Sequence, residues 1–457
     1  MKIQQSVQKK ILLYRCVLML LLAFVGFFSH TATSPRKDFR MEAQRTLESP
    51  RIALLQYALT SGDAAALEAF WQEIIEHGTP LMEAIEGDDN HYLVTFLWRE
   101  KGDTHNVVIW GGPAGLDHPE NHQMTRLLDT DLWYKTYRLQ MDLRGVYTFS
   151  INDSLTNQEN GGFGTLFIPD PLNPKQFVAH KDEGKPDSQE VVFSVLELPN
   201  APAQTWTVPH PDGAKGKLHA HRLRSQILDN ERRIWVYTPA DYTESSEPYR
   251  LLLLFDGWTY IDLIPTPTIL DNLVREGKIP PLVTVLLDNP DDETRNRELP
   301  CHQPFVDFLT QELMPWVHEH YHVTAEPAQT IVGGCSYGGL AAAFAGLRAS
   351  ETFGNVLSQS GSFWWDKDPE DDIQQEWIIQ QFIASPRLPL RFYLEVGLKE
   401  DLGWIYMVGC NRHLRDVLNL KGYEVHYAEF NGYHHNVSHR GSLANGLLAL
   451  VGKEQEA

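Results

Sequence analysis

The chain has 457 residues, too many for one ordinary hydrophobic core, so two domains are expected. Its 42% hydrophobic and 22% charged residues are the proportions of a soluble globular protein. A formal net charge of −21 argues against nucleic acid as a partner, because phosphate binding needs a basic surface; a local arginine cluster can still hold an anionic ligand.

The first residues stand apart. Lys2, Lys9, Lys10 and Arg15 precede an apolar run over 16–28, followed by the small polar stretch 29–34. A basic start, a short apolar stretch and small residues after it form a secretory signal, expected over 1–33, with an uncleaved N-terminal anchor as the alternative because no Ala-x-Ala site follows. Either reading exports the body of the protein, and no other membrane partner is expected. Cys16 lies in this segment. Cys301, Cys335 and Cys410 are odd in number, widely spaced and without Cys-x-x-Cys, so they predict buried thiols rather than disulfides or a zinc site.

Ser61-Gly62-Asp63 offers a helix cap, and Leu67, Phe70, Trp71, Ile74 and Ile75 follow at helical spacing until Gly78. This stripe is expected to bury against the neighbouring domain. From 92 to 198 the pattern turns to short strands (92–99, 106–112, 132–141, 145–153), rich in β-branched and aromatic residues. Strands without interleaved helices predict a β-sandwich of immunoglobulin-like kind, in a domain spanning 34–203. From 204 to 457, apolar runs at 234–237, 251–255, 282–287, 330–333, 355–358, 392–396 and 425–430 alternate with helical stretches. That is the pattern of a parallel sheet covered on both faces, an α/β fold.

Within this domain, Gly334-Cys335-Ser336-Tyr337-Gly338 is a Gly-x-Ser-x-Gly segment with a strand before it and a helix of small residues after it. In α/β-hydrolases that turn exposes a nucleophilic serine, so Ser336 is the predicted nucleophile. The chain order of such sites is serine, acid, histidine. The base is therefore expected after the last strand, where His434, His435 and His439 compete, and the acid after the preceding one, where Glu400 is favoured over Glu395 and Asp401. One oxyanion donor is expected from the N–H of Tyr337, the other from Gly257 or Trp258, in the turn after 251–255. The segment His318-Glu319-His320-Tyr321-His322 lacks His-Glu-x-x-His and predicts no metal site.

The segments GCSYGGL, SQSGSFWW, TRNRELPC and LLFDGW of the second half resemble the enterochelin (enterobactin) esterase family. So do GTPLMEAI, TDLW, DPLNP and LELPNAP of the first half, and the similarity runs from about residue 44 onward. The resemblance implies an α/β-hydrolase that opens the trilactone of ferric catecholate siderophores, with iron(III) arriving as part of the substrate and no cofactor of the protein's own. It carries the nucleophile onto Ser336, the base onto His434, and two family arginines onto Arg295 and Arg440. Two departures flank the base: Tyr433 stands where the family has Gly, and His435 where it has Asp.

A ferric tris-catecholate is a bulky trianion with flat aromatic arms. Arg295, Arg297 and Arg440 suit its charge, and Trp258, Trp364 and Trp365 suit stacking on its rings. The expectation is a periplasmic serine esterase. A carbohydrate (feruloyl or acetyl) esterase and a non-catalytic siderophore-binding protein are the alternatives.

Overall fold

The computed structural model describes residues 49–115, 118–155, 167–245, 247–367, 375–401 and 405–452; the signal expected over 1–33 lies outside them. The chain divides into two compact units between Pro202 and Ala203.

The described part of the first unit starts with α1 (Pro50–Thr60), which the sequence reading passed over, and α2 (Ala66–His77). Ser49 caps α1 by accepting a hydrogen bond from the Ile52 N–H, and Pro50 suits the first helical position, where no N–H is needed. Gly78 ends α2 at φ 81°, a conformation that glycine adopts without strain. Phe70, Trp71 and Ile74 of α2 pack with Ile52, Leu55, Leu97, Leu127 and Leu132. The stripe therefore buries on a sheet of its own unit, while Ile75 stays exposed.

Two antiparallel sheets follow. One runs β1-β2-β5-β4, from β1 (Leu81–Ile85), β2 (Asp88–Arg99), β4 (Thr125–Arg126) and β5 (Leu132–Gln140). The other runs β3-β6-β9-β8, from β3 (Val107–Gly111), β6 (Arg144–Ile151), β8 (Gln176–Ala179) and β9 (Val191–Glu197), with β7 (Phe167–Ile168) pairing β6. Aromatic rings join the sheets: Phe96 meets Tyr147 edge-on at 4.7 Å between centroids, and Trp98 meets Phe149 at 5.7 Å.

The second unit is one eight-stranded sheet, ordered β10-β11-β13-β12-β14-β15-β16-β17. Its strands are β10 (Lys217–Ser225), β11 (Asn230–Thr238), β12 (Arg250–Phe255), β13 (Leu282–Leu287), β14 (Thr330–Cys335), β15 (Asn355–Gln359), β16 (Arg391–Gly397) and β17 (Glu424–Phe430). β10 and β11 pair antiparallel; from β12 outward every pairing is parallel. Central strands β13, β14 and β15 are buried at every position, because helices cover both faces.

The connecting helices are α3 (Thr259–Asp262), α4 (Thr266–Arg275), α5 (Asp292–Glu298), α6 (Gln303–Phe308), α7 (Met314–His320), α8 (Tyr337–Arg348), α9 (Trp377–Ala384), α10 (Met407–Leu420) and α11 (Asn436–Val451). One core joins Leu252, Leu254, Ile331, Leu357 and Tyr393 of the sheet to Leu443, Leu447 and Leu450 of α11. Parallel strands all end on one edge of such a sheet, which is where sites in open α/β folds form.

Candidate active site

Ser336 sits between the last residue of β14 and the first of α8, at φ 57° and ψ −121°. A non-glycine residue in that region is strained, and the strain holds the side chain at the tip of a tight strand-to-helix turn. The flanking glycines allow the turn to close. A Cβ on Gly334 would lie 2.7 Å from the Gly338 carbonyl carbon, so strand and helix approach more closely than any side chain permits.

The next strand supplies a second layer. The Ser336 N–H donates to the Gln359 carbonyl at 3.0 Å, the Ser362 N–H donates to the Ser336 carbonyl at 3.1 Å, and the two hydroxyls of Ser336 and Ser362 lie 3.3 Å apart.

Past β16 and β17 stand the acid and the imidazole. His434 Nδ1 lies 2.7 Å from Glu400 Oε2. A carboxylate only accepts, so Nδ1 carries the proton and Nε2 keeps its lone pair. Glu400 is fully buried but well held: its Oε1 accepts from Ser360 Oγ at 2.7 Å and from the Gly397 N–H at 2.7 Å. Those donors compensate the burial of its charge.

The rival candidates have other partners. Asp401 accepts from the Val408 N–H at 2.9 Å, near the start of α10. Glu395 is buried within β16 and accepts from Tyr393, Gln359 and Ser442; burial raises its carboxyl to about 7. His435 Nδ1 accepts from the Val437 N–H at 3.1 Å and caps α11, and burial lowers its imidazole to about 3. It is a neutral structural cap, whereas His434 alone of the pair holds an acid.

His439, the third histidine, is the unforeseen partner. Its Nε2 lies 3.2 Å from Ser360 Oγ. The Ser360 proton goes to Glu400, so Ser360 must accept here and His439 donates from Nε2. The chain of donors runs His439 to Ser360 to Glu400, with His434 on the other carboxylate oxygen. Burial keeps His439 neutral, its pKa well below the usual range. Glu400, His434 and His439 bring potential metal-ligating atoms within 4.8 Å of one another, but these hydrogen bonds already account for their proximity. Ser360 and Ser362 were missed as site residues; their alternation just past an apolar strand was the available signal.

The oxyanion donors separate as well. The N–H groups of a helix's first turn point outward along its axis, and Tyr337 is the first residue of α8. Gly257 must be withdrawn, because its N–H donates to the Leu287 carbonyl at 2.9 Å. Trp258 N–H donates to Asp288 Oδ1 at 3.5 Å, the outer limit of a hydrogen bond, and is the more weakly held N–H of that turn.

Arg295 does not offer an open positive charge. Its Nε and Nη2 donate to Asp256 at 2.7 and 2.8 Å, and Asn289 donates to the same carboxylate at 2.6 Å. The pair neutralises Arg295 and anchors Asp256, a non-glycine residue at φ 58° in the Trp258 turn. Arg297 is 54% exposed and donates to Glu298 at 3.2 Å. Arg440 Nε donates to Gln204 at 2.7 Å. Trp364 is buried, 6.4 Å from the Tyr337 ring, so core packing replaces the expected open stacking face; Trp365 is half-buried, edge-on to Trp377. In the His318–His322 segment, His318 Nε2 lies 3.2 Å from the Thr324 carbonyl, and His320 Nδ1 donates to that of Trp316.

Residues 225–450 match the family described as "Putative esterase", and residues 93–207 match "Enterochelin esterase, N-terminal". The iron(III) enterobactin esterase of Dickeya dadantii is 32% identical over 435 residues, covering 86% of this chain and 95% of the relative. A crystal structure of the enterobactin esterase from Shigella flexneri in the presence of enterobactin superposes with a TM-score of 0.67 at 30% identity, covering 84% of this chain and 97% of that one. A second, in the presence of 2,3-dihydroxy-N-benzoyl-serine, gives 0.66 at 30% identity, covering 84% and 98%.

Proposed function

The chain belongs to the iron(III) enterobactin esterase family, and from that premise we propose that it hydrolyses the trilactone esters of ferric catecholate siderophores at Ser336. It is an ester hydrolase. The observation that carries the mechanism is the Glu400–His434 pair on the same sheet edge as the strained Ser336 turn. His434 Nε2 takes the Ser336 proton as Oγ attacks a lactone carbonyl. The N–H groups of Tyr337 and Trp258 stabilise the developing oxyanion. His434 then protonates the leaving serine hydroxyl of the siderophore, and the acyl-enzyme is hydrolysed by water that His434 deprotonates. Iron(III) enters as cargo of the substrate.

Arg297 and Arg440 meet the anionic chelate and Trp365 its rings; what supports this is their partial exposure in the same unit. The basic and apolar residues over 2–28 support export to the periplasm, checked by fractionation and N-terminal sequencing of the mature protein. We also read the first unit as immunoglobulin-like. Its sheets β1-β2-β5-β4 and β3-β6-β9 have the order of the ABED and CFG sheets of that fold, β8 being an addition.

The test is incubation of purified protein with ferric and iron-free trilactone, with products separated by chromatography. Wild type yields ring-opened trimer and shorter fragments, and Ser336→Ala lowers turnover by about 10⁴-fold or more while ligand still binds. A Ser336→Ala variant with a tenth of wild-type turnover sinks the assignment. Feruloyl or acetyl ester turnover exceeding that of the lactone moves the substrate to carbohydrate esters.

A further inference from the structure

A second cluster of titratable side chains lies on the outermost strand of the eight-stranded sheet. β10 pairs only with β11, and its alternate residues Lys217, His219 and His221 share one face. The end of α7 packs against that face. His221 stands edge-on to Trp316 at 5.0 Å and to Tyr321 at 6.0 Å between ring centroids, with Nε2 2.6 Å from the Tyr321 hydroxyl. His320 stacks on Trp316 at 4.5 Å and donates from Nδ1 to the Trp316 carbonyl.

Between these groups lies a cavity of about 320 Å³, lined by Lys217, His219, His221, Tyr242, His320 and Tyr321 with a short stretch of the β11 end. No Asp or Glu lines it; Asp241 and Glu319 are adjacent in sequence but exposed and outside the lining. In a chain of net charge −21, a concavity with one ammonium, three imidazoles and no carboxylate is a local inversion of the molecule's sign. Burial and then the neighbouring His219 and His320 hold the His221 imidazole below its usual range.

We propose that this cavity binds a small aromatic carboxylate, one ring with one acid group, at a site sharing no residue with the esterase centre. An anion there relieves the repulsion that His221 meets from its neighbours, and the Lys217 ammonium lines the same cavity. The walls of His and Tyr rings fit a flat π system better than a compact ion. Size selects the class: the volume sits at the lower end of the roughly 300–1,000 Å³ of ligand pockets, enough for one ring and not for a three-armed lactone. The proposal stands whether or not the catalytic reading holds.

Titration calorimetry of the full chain with benzoate tests it. One benzoate binds per chain, with affinity rising from pH 8 to pH 6 and proton uptake on binding as the anion favours the charged form of His221, seen by repeating the titration in buffers of different ionisation heat. Lys217→Gln/His219→Gln/His221→Gln removes the binding and leaves ester turnover unchanged; His320→Gln, on a separate element, weakens it. Benzoate silence at millimolar concentration, or undiminished binding by the triple variant, overturns the site. Equal binding of cyclohexanecarboxylate or inorganic phosphate overturns the aromatic class. Zinc binding with benzoate silent makes the cluster a metal site and the proposal wrong.

Discussion

Two adjacent histidines, chemically identical in the sequence, differ entirely in their hydrogen bonds. His434 donates to Glu400, and His435 accepts from a backbone N–H as the cap of α11. His434→Ala should therefore lower kcat by about 10⁴-fold or more, as loss of a triad base does. His435→Asn keeps a capping acceptor and should retain activity to within a few-fold, whereas His435→Ala costs about 1 kcal/mol of stability. Steady-state kinetics beside chemical denaturation separates the two; inactive but stable His435→Asn protein would reverse the assignment. Ser360 carries a subtler expectation. Its hydroxyl and the Gly397 N–H both donate to Glu400 Oε1, so Ser360→Ala removes one of the two donors that hold that carboxylate beside His434. Turnover should fall about tenfold with KM little changed, because the hydroxyl acts through the acid and not on the substrate. A wild-type kcat in Ser360→Ala would make Ser360 merely structural. The nucleophile and the order of acid and base were legible from the motif and the strands around it. The separation of His434 from His435, and of Trp258 from Gly257, was not. Each depends on which nitrogen a carbonyl or side chain several strands away already occupies.

The strand-to-helix turn shows what an element adds to its residues. β14 and α8 meet at Gly334 and Gly338, where Gly334 has no room for a methyl group. Gly334→Ala should cost about 1–3 kcal/mol by overpacking. It should lose activity out of proportion to the folded fraction, because the clash displaces the turn that aims Ser336. Specific activity of the fraction still folded, measured with unfolding midpoints, checks this, and full activity per folded molecule would refute it. The parallel strands were readable as apolar runs because both of their faces are covered, and 282–287 coincides with β13 end to end. β10 was invisible for the opposite reason. Its nine residues, Lys217–Ser225, are mostly exposed and basic, and a strand with one wet face on a sheet edge carries little apolar signal. β1, β8 and α1 escaped likewise, being short or only partly buried.

At the scale of the molecule, groups buried in their neutral forms set how stability answers to pH, and they pull in opposite directions. His435 is held to about 3 and His439 well below its usual range, both chiefly by burial. Unfolded imidazoles protonate near pH 6.5, so from there downward the unfolded chain binds more protons and stability falls. Glu395 does the reverse: its folded value of about 7 exceeds the ordinary 4.5, so the folded chain binds more protons between those values and gains stability as pH falls through them. At about 1.4 kcal/mol per unit, the carboxyl offsets roughly 3 kcal/mol of the histidine loss before it is exhausted near pH 4.5. Urea midpoints of the wild type should therefore decline gently from pH 7 to 4.5 and steeply below. Glu395→Gln, which holds the neutral shape at every pH, should remove the compensation and make the decline steep from about pH 6.5. His435→Asn should flatten it. If the wild type and Glu395→Gln traced the same curve, Glu395 would be ionised in the native protein at pH 6, and the neutral network joining Gln359, Ser442 and Tyr393 beneath the site would have to be redrawn around a buried charge.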